Sequence, residues 1–506
     1  MKYHNPIIPG YHPDPSICRV GEDYYLVTSS FEYFPGVPIF HSRDLINWEQ
    51  IGHCISRREQ LKLMEGDPNR TGIFAPTLRY HQGIFYMITT NVAYEGAQKE
   101  PSGNFFVTAT DPAGEWSDPI WIPACGGIDP SLYFAEDGRA YYCGSDGGIY
   151  LCELNLQDGS LNSEKKYIWN GTGGCCPEGP HIYRIGDWYY LLISEGGTEY
   201  AHMITIARSR QIEGPYEACP NNPVLSNRSH NLSINATGHA DLVEDQNGNW
   251  WAVCLGIRPI PYPFHHNLGR ETMLVPVYWD EAGWPVMGNQ GLVEEEIETL
   301  KLPVETKQHS VARQKDYFDK EQLDFGWNFI YEQLPDSYLW NQGQGMTLYG
   351  NATSLSEASA MTWLGRRQEQ HHCKADTELH FIPVEDGEEA GMTVLLNNRH
   401  HYEIALTMLE GQRCLIFRRQ IGSLWKIENQ ILCQADDLFL EMEADEKNYT
   451  FRYSVDGKAY ETIGQGEVTY LTTEVGGAFT GCYIALYATG NGKKCVNGAN
   501  FKWFSH

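Results

Sequence analysis

The sequence predicts an all-β protein built as a five-bladed β-propeller followed by a C-terminal β-sandwich. A strand–turn–strand pattern returns five times within the first 300 of 506 residues, and further on the strands alternate with period two instead. Aromatic residues make up 13% of the chain and 50 glycines punctuate it, a mixture typical of many short strands joined by turns. A chain of this length is also too long for one ordinary core.

Each of the five repeats reads as a short apolar strand, a turn containing glycine, and a second strand that opens with aromatic residues. The repeats begin at Asp14, Ala75, Asp129, Glu178 and His239. Their second aromatic residues are spaced by 61, 56, 48 and 61 positions, at Tyr25, Tyr86, Tyr142, Tyr190 and Trp251. A strand repeat near this length indicates a propeller with one four-stranded sheet per blade. A β-sandwich with coincidental tyrosine pairs is the weaker alternative.

The first strand of each propeller blade lines the central axis, so the residues that lead these strands should converge at one end of it. Three of the five are acids, at Asp14, Asp129 and Glu178. Buried acids are costly unless they are paired, and crowding them together raises the pKa of some of them. The sequence therefore predicts a catalytic site at this end of the propeller.

Two carboxyl groups on either side of a glycosidic bond are enough to hydrolyse it. Glu178 is flanked by "CCP" and "GPHI", an apolar setting that should raise its pKa and suit a general acid. Asp14 is fixed between Pro13 and Pro15 and suits a general base that positions water. Asp129 could tune the pKa of Glu178 and orient it. Inversion or retention depends on the distance between acid and base, which these residues alone leave open.

The charge balance argues for a neutral substrate. Lys and Arg number 37 against 65 Asp and Glu, a net charge of −28, which disfavours nucleic acid and acidic membranes as partners. No stretch approaches 18 apolar residues and the N-terminus lacks a secretion signal, so we expect a cytoplasmic protein whose 14 cysteines are free thiols. The sequence leaves a homo-oligomer open.

The same three acids could instead hold Ca²⁺. No D-x-D-x-D loop accompanies them, and a lone histidine such as His239 is more often a hydrogen-bonded interior residue than a ligand. The predicted chemistry requires no cofactor.

Three motifs in this order on a five-fold repeat resemble glycoside hydrolase family 43: "HPDPS", "IDPSL" and "PEGPHIY". The likeness is closest to its two-domain β-xylosidase and α-L-arabinofuranosidase branch. It extends over nearly the whole chain through "SSFEYFPGVPIFHSRDLINW", "SEGGTEYAHMITIARS", "GHADLVED", "GRETMLVPVYW" and "GGAFTGCYIALYATG".

The resemblance implies that Asp14 is the general base, Asp129 the pKa-modulating acid and Glu178 the general acid of an inverting mechanism. It also implies a sugar-binding set. Arg270 would hydrogen-bond the terminal pentose, with Phe31 as a wall of the first subsite, Thr198 as a lining residue, and His239 near a central structural Ca²⁺ on the propeller axis, often through water.

Structural alternatives stand beside these roles. Arg270 could serve an ion pair, Thr198 could satisfy a turn, and Phe31 with Phe34 could be plain core.

One departure concerns specificity. Xylosidases of this branch are expected to carry "WAPH" where this chain has "FAPT", Phe74 to Thr77. Losing an indole and an imidazole at a subsite would change its stacking and hydrogen bonding. This favours an α-L-arabinofuranosidase without excluding a β-D-xylosidase.

The predicted boundaries are a catalytic propeller over 1–300, a linker over 301–314 and a sandwich over 315–506. The sandwich resembles the lectin-like domain of the family, which implies that Phe479 of "GGAFTG" caps the active site. Sandwich core is the alternative for this residue.

Together these features predict an exo-acting, inverting glycosidase that releases terminal pentoses from xylan- or arabinoxylan-derived oligosaccharides. Two other hypotheses are a non-catalytic carbohydrate-binding propeller, which a missing acid would favour, and a scaffold stabilised by Ca²⁺.

Overall fold

The structure is a computed structural model that describes residues 2–63, 66, 71–92, 102–299, 301–309, 313–341 and 343–506. Within these residues the protein is all-β, as predicted. Its helical elements there are one 3₁₀ turn, Val468–Leu471, and one α-helical turn, Thr473–Gly476. None of its described helices is long and apolar enough to cross a membrane.

The N-terminal part contains five antiparallel sheets that follow one another along the chain. The first sheet contains Ser16–Val20, Asp23–Val27, Gly36–Ser42 and Glu49–Ile55. The second contains Gly72–Ile73, Thr77–His81, Ile84–Val92, Gly103–Ala109 and Ile120–Trp121. The third contains Ile128–Phe134, Ala140–Ser145, Ile149–Glu153 and Lys166–Trp169. The fourth contains Glu178–Ile185, Trp188–Glu195, Met203–Ser209 and Glu217–Ala218, and the fifth Asn235–Glu244, Trp250–Ile257, Glu271–Trp279 and Pro285–Met287.

The five sheets are arranged in a closed order. Each sheet has one inner strand, which packs against the inner strands of the preceding and following sheets. The inner strand of the fifth sheet packs against that of the first, which closes the order. These inner strands are Ser16–Val20, Thr77–His81, Ile128–Phe134, Glu178–Ile185 and Asn235–Glu244. The chain start joins this arrangement, because Lys2–His4 pairs with Glu296–Glu298. The residues that lead these strands are thereby brought to one place.

Separate apolar clusters fill the spaces between neighbouring sheets. Tyr142 and Phe106 lie in the cluster between the second and third sheets, and Trp251 and Leu26 in the cluster between the fifth and first. The large apolar side chains of the repeats are thus buried between sheets, which leaves the polar residues that lead them to line the axis.

The C-terminal part contains two larger antiparallel sheets. One has six strands in the order Trp363–Arg367, Tyr483–Thr489, Glu389–Asn397, His400–Leu409, Gln412–Ile421 and Leu424–Leu432. The other runs in the order Tyr338–Asn341, Gly345–Leu348, Ala499–Ser505, Cys373–His380, Asp437–Ala444, Asn448–Ser454 and Glu461–Glu467, with Lys315–Asp316 added beside Ala499–Ser505. Residues 301–309 of the predicted linker form no strand, while residues 310–312 fall outside the described part.

The two parts are joined by backbone pairing and aromatic packing. Tyr33–Phe34 of the N-terminal part pairs with Phe329–Ile330 of the C-terminal part. The rings of Tyr33 and Tyr483 stack with centroids 4.1 Å apart. The backbone of Gly269 also approaches Gly481 so closely that a Cβ on Gly481 would lie 2.3 Å from the carbonyl oxygen of Leu268. This approach brings the loop that carries Phe479 against the residue that follows Gly269, Arg270.

Candidate active site

One small pocket gathers all nine side chains that the sequence singled out for catalysis, substrate or metal. It is lined by Asp14, Phe31, Phe74, Ala75, Ile128, Asp129, Glu178, Thr198, His202, His239, Arg270 and Phe479. Its cavity volume is about 90 Å³, well below the 300–1,000 Å³ or so of clefts that hold drug-sized ligands. A pocket of this size suits a single terminal sugar.

Unusual backbone conformations present four of these side chains, Phe31 with a φ of 48° and three polar residues. The φ angle is 55° at Asp14, 55° at Asp129 and 45° at His239, in the left-handed region that residues other than glycine rarely adopt. Each lies two residues before the first regular pair of its sheet, Ser16–Val27, Ser131–Cys143 and Asp241–Val253. Strained positions of this kind concentrate at functional sites.

Glu178 does not occupy the equivalent position, which corrects the alignment of the repeats. The first regular pair of the fourth sheet is His181–Leu192, so the position two residues earlier is Gly179, with φ of 59°. Glu178 lies one residue further ahead, opposite Ser194, with Gly179 and Pro180 forming a bulge between the two pairs. Bulges redirect side chains near active sites, and a one-residue shift of this kind leaves no mark in the repeat pattern.

Asp14 is held as a carboxylate. The hydroxyl of Ser29 donates to its Oδ2 at 2.5 Å, Nη1 of Arg270 donates to its Oδ1 at 2.7 Å, and Nδ1 of His239 is 3.7 Å from Oδ1. Burial by itself would raise the pKa of Asp14, but Arg270, His239 and the Ser29 hydrogen bond outweigh it and lower that pKa below its usual value.

Glu178 and Asp129 are shifted in the opposite direction. Burial, and then the negative charge of Asp14, raise the pKa of Glu178 to about 7. Burial, Glu178 and Asp14 raise the pKa of Asp129 well above its usual value, although the backbone N–H of Gly179 donates to Asp129 Oδ2 at 3.2 Å. The pocket therefore holds an ionised acid, Asp14, and a protonated acid, Glu178, at neutral to mildly acidic pH.

Arg270 lies between Asp14 and the rings of Phe31 and Phe479. Its guanidinium carbon lies 5.6 Å from the ring centre of Phe31 and 5.8 Å from that of Phe479. The Phe31 ring centre is 4.9 Å from that of Phe74 and 5.7 Å from that of Phe479. Three phenylalanines therefore form one side of the pocket, and Phe479 comes from the C-terminal part.

His202 lines the pocket but was not predicted. Its Nε2 lies 3.9 Å from Glu178 Oε1, and burial together with His239 and Arg270 lowers its pKa to about 3, so the ring is neutral. Neither of its ring nitrogens has a hydrogen-bond partner among the described residues. The one feature of the sequence that could have pointed to His202 is its place in the family-like stretch "SEGGTEYAH", because the repeat pattern does not distinguish it.

Unpaired polar atoms in the pocket wall are available to a ligand. Besides the nitrogens of His202, Oγ1 of Thr198 and Nε of Arg270 are buried and lack a partner within the described part of the chain. Buried polar groups are normally hydrogen-bonded. This set matches the needs of a small molecule with several hydroxyl groups.

The structure also shows where two further residues of the sequence analysis lie, Thr77 and Phe34. Thr77 does not line the pocket and pairs with Ile88 instead. Of the two replaced residues in "FAPT", Phe74 and Thr77, Phe74 alone faces the site, beside Ala75. Phe34 belongs to the buried core and pairs with Phe329.

Beneath the pocket lies a buried ion pair on the inner strands. Asp241 accepts hydrogen bonds from Nη1 of Arg79 at 2.7 Å, from the Ser16 hydroxyl at 2.6 Å and from the Tyr183 hydroxyl at 2.5 Å. Nη2 of Arg79 lies 2.9 Å from Nδ1 of His181. This cluster, the axial ion pair network, ties together strands of the first, second, fourth and fifth sheets.

The donor set near His239 does not fit an all-protein Ca²⁺ cage. No group of three or more His, Cys, Asp or Glu side chains in the described ranges is placed to hold a metal ion. Asp14 is already bound by Arg270, and the guanidinium of Arg79 supplies the positive charge in the layer below. A hydrated ion near His239 stays a prediction.

A second, wider groove is a weaker candidate site. It has a volume of about 620 Å³ and lies on the C-terminal part. Three of its charged residues form ion pairs: Nη1 of Arg452 contacts Glu443 at 2.5 Å, and Lys374 contacts Glu441 at 2.6 Å. It lacks the opposed protonation states of the first pocket.

Comparisons with known proteins agree with the site. The family model "Glycosyl hydrolases family 43" matches residues 3–285, and "Beta xylosidase C-terminal Concanavalin A-like domain" matches residues 315–506. A non-reducing end alpha-L-arabinofuranosidase of Bacteroides ovatus is 42% identical over 99% of this chain and 94% of its own length. A xylosidase/arabinosidase of Butyrivibrio fibrisolvens is 38% identical over 99% of this chain and 98% of its own.

The same likeness holds in three dimensions. The solved structure "Bacteroides ovatus Xyloglucan PUL GH43B" superposes with a TM-score of 0.93 at 40% identity, covering 100% of both chains. The family model, the relatives and the solved structure together match nearly the entire chain. The chain belongs to family 43 of the glycosyl hydrolases.

Proposed function

We propose that the protein is an exo-acting, inverting glycosidase that releases terminal pentoses from small oligosaccharides. The observation that carries the proposal is the opposite protonation of Asp14 and Glu178 within one sugar-sized pocket. The names of the arabinofuranosidase and xylosidase relatives support the substrate class.

We also interpret the five N-terminal sheets as the blades of a propeller and the two C-terminal sheets as a lectin-like sandwich. The closed order of the inner strands supports the first interpretation. The match of residues 315–506 to a concanavalin A-like domain supports the second.

In the proposed reaction Glu178 gives its proton to the glycosidic oxygen as the bond to the anomeric carbon breaks. Asp14 takes a proton from a water molecule whose oxygen attacks the same carbon from the opposite face. The two proton transfers balance, and the configuration inverts. Ser29 and Arg270 hold Asp14 ionised before the reaction. Asp129 accepts a hydrogen bond from the N–H of Gly179, the residue after Glu178, and we assign it the orientation of the acid. Its tuning of the pKa of Glu178 stays a prediction.

Exo action follows from the small volume and the aromatic cap. Phe479 closes the pocket against Phe31 and Phe74, which leaves room for one ring. We assign the first preference to α-L-arabinofuranosyl groups of arabinoxylan fragments, because Phe74 replaces the expected indole, and we keep β-D-xylosyl groups as the alternative. None of these steps uses a cofactor, and the cytoplasmic location stays a prediction.

The test measures release of both pentoses from aryl pentosides and from oligosaccharides. Glu178→Gln and Asp14→Asn should each lower kcat by about 10²- to 10⁴-fold on oligosaccharides, the range expected for a lost acid or base. Glu178→Gln should lose less on nitrophenyl pentosides, because their leaving group needs little protonation, whereas Asp14→Asn should lose equally on both. NMR of the first product should show the inverted anomer.

A matched control lies at the other end of the same sheet as Glu178. Asp187 is exposed and pairs with Arg210 at 3.0 Å, so Asp187→Asn should retain full activity. Full turnover by both site variants would refute the proposal. Oligosaccharide binding without turnover by the unaltered protein would instead support the non-catalytic propeller.

A further inference from the structure

An exposed aromatic cluster lies beside the pocket and has no role in the chemistry described so far. Tyr262 is 91% exposed and Phe264 is 43% exposed. The ring of Phe264 is nearly parallel to that of Tyr200, with centroids 6.0 Å apart and an angle of 19° between the planes. Tyr262 lies in the same turn as Phe264, which the bridge between Ile260 and His265 closes. We call Tyr200, Tyr262 and Phe264 the rim platform. Large exposed apolar groups in one place mark binding surfaces.

The rim platform adjoins the side of the pocket that holds Glu178. Tyr200 belongs to the turn 197–202, whose other residues include Thr198 and His202 of the pocket wall. Nε2 of His202 is 3.9 Å from Glu178 Oε1. At the start of this turn, a Cβ on Gly197 would lie 3.8 Å from Sγ of Cys176, two residues before the acid. A group that accepts the proton of Glu178 would therefore leave the pocket next to this turn.

The rim platform is also held in place before any ligand binds. The hydroxyl of Tyr200 donates to Glu474 Oε1 at 2.8 Å, and the backbone N–H of His266 donates to Glu474 Oε2 at 2.9 Å. The backbone N–H of Thr473 donates to the His266 carbonyl at 3.1 Å. Glu474 thus fastens the turn that carries Tyr200 to the loop that carries Phe264, five residues before the cap Phe479. Such preorganisation reduces the entropic cost of binding.

We propose that the rim platform binds the first sugar of the leaving group, a neutral ring stacked by its apolar face on Phe264 and Tyr262. The proposal rests on the proposed function, since only a glycosidase has a leaving group on the acid side. The pocket holds one ring, so every further ring of a substrate must lie outside it, and the platform provides an apolar, uncharged surface there. The favoured substrates are then oligosaccharides whose second unit is an uncharged sugar.

The experiment compares ligands that reach the platform with one that does not. Phe264→Ala and Tyr262→Ala should lower kcat/KM by roughly three- to tenfold on a β-1,4-linked xylose trisaccharide, with or without an α-L-arabinofuranosyl substituent. Inhibition by the free pentose, which fills only the pocket, should keep its inhibition constant. Tyr200→Phe keeps the ring but loses the bond to Glu474, and should give a smaller effect in the same direction.

The control is Tyr278→Ala, because Tyr278 is 40% exposed but lies at the far end of the strand that begins beside Arg270. It should change neither quantity. Equal losses for the trisaccharides and for free-pentose inhibition in the Phe264 variant would overturn the platform, as would no loss for the trisaccharides.

Failure of the proposed function gives a different result. If the unaltered protein hydrolyses no pentoside, calorimetry with the same trisaccharides and Glu178→Gln still tests the platform. Binding that weakens in the additional Phe264→Ala variant would support it, and binding that is unchanged by that substitution would overturn it.

Discussion

Two carboxyl groups in one pocket acquire opposite protonation through their different neighbours. Asp14 has an arginine, a histidine and a serine hydroxyl directed at its oxygens, whereas Glu178 has an apolar, partly closed surrounding and a neutral His202 at 3.9 Å. Because the pKa of Glu178 is about 7 and that of Asp14 is below its usual value, a protonated Glu178 and an ionised Asp14 coexist over a broad mildly acidic range. The asymmetry arises from these surroundings: Arg270, His239 and the Ser29 hydrogen bond lower the pKa of Asp14, whereas burial and the charge of Asp14 raise that of Glu178.

The pH dependence of activity should show the effect of Arg270 on the pKa values of Asp14 and Glu178. Activity should fall at high pH as Glu178 loses its proton, with the alkaline limb of kcat/KM near pH 7 in the free enzyme. Arg270 lowers the pKa of both Glu178 and Asp14, so Arg270→Met should move both limbs to higher pH, beyond the loss of activity from the missing sugar contact. Arg270→Lys keeps the charge and should leave the limbs in place. An alkaline limb that does not move in Arg270→Met would contradict the assignment.

At the scale of strands, bulges and left-handed residues allow the inner strands to direct Asp14, Asp129, Glu178 and His239 into the pocket. In the third and fourth sheets the first strand departs from regular pairing just where Asp129 and Glu178 occur, and the fifth sheet does the same around His239. A regular strand would alternate its side chains between the two faces of the sheet. The irregular stretch instead directs successive residues toward the axis.

The axial ion pair network links these strands through Asp241 and Arg79. Asp241 and Arg79 have no or little exposed side-chain surface, and removing one partner of a buried pair leaves an uncompensated charge. We expect Arg79→Met and Asp241→Asn each to destabilise the protein by about 3–5 kcal/mol, and the double variant by less than the sum. Thermal unfolding measures the stability, and kcat should fall more than KM rises, because Ser16 and His181 lie close behind Asp14 and Glu178.

An ion pair on the surface provides the comparison for the Arg79 and Asp241 variants. Lys166 and Glu213 are 2.9 Å apart with more than half of each side chain exposed, so their removal should cost about 0–1 kcal/mol. If the axial variants behave like this surface pair, the network has no positioning role.

At the scale of the whole molecule, the pocket is assembled from both parts of the chain. Phe479 reaches the pocket because Gly481 permits its loop to approach Gly269, and the adjoining Tyr33–Tyr483 stack and strand pairing fix the orientation. The C-terminal part is therefore a component of the site in addition to any binding role of its own.

Disturbing that approach should reduce activity without altering a pocket side chain. A Cβ in Gly481→Ala would meet the Leu268 carbonyl at 2.3 Å, so the loop and Phe479 must shift. We expect a marked rise in KM for pentosides and a change similar to that of Phe479→Ala, which removes the cap itself. Gly114→Ala introduces a Cβ 3.3 Å from Asp111 in an exposed turn that does not line the pocket, so KM for pentosides should stay unchanged. Unchanged KM in both Gly481→Ala and Phe479→Ala would show that the cap does not contribute to binding.

The sequence by itself determined the all-β character and the five repeated strand pairs, because alternation, turn residues and repeat spacing are local properties. The repeats also singled out the three acids that line the pocket. The family resemblance pointed to Arg270, Phe31, Thr198 and Phe479, which line the same pocket. Only the tertiary structure decided that Glu178 lies one residue ahead of its aligned position, that Thr77 lies below the pocket, and that His202 and the rim platform adjoin the acid. Bulges, left-handed residues and contacts between distant sheets arise from packing among the sheets, which no single segment of sequence specifies.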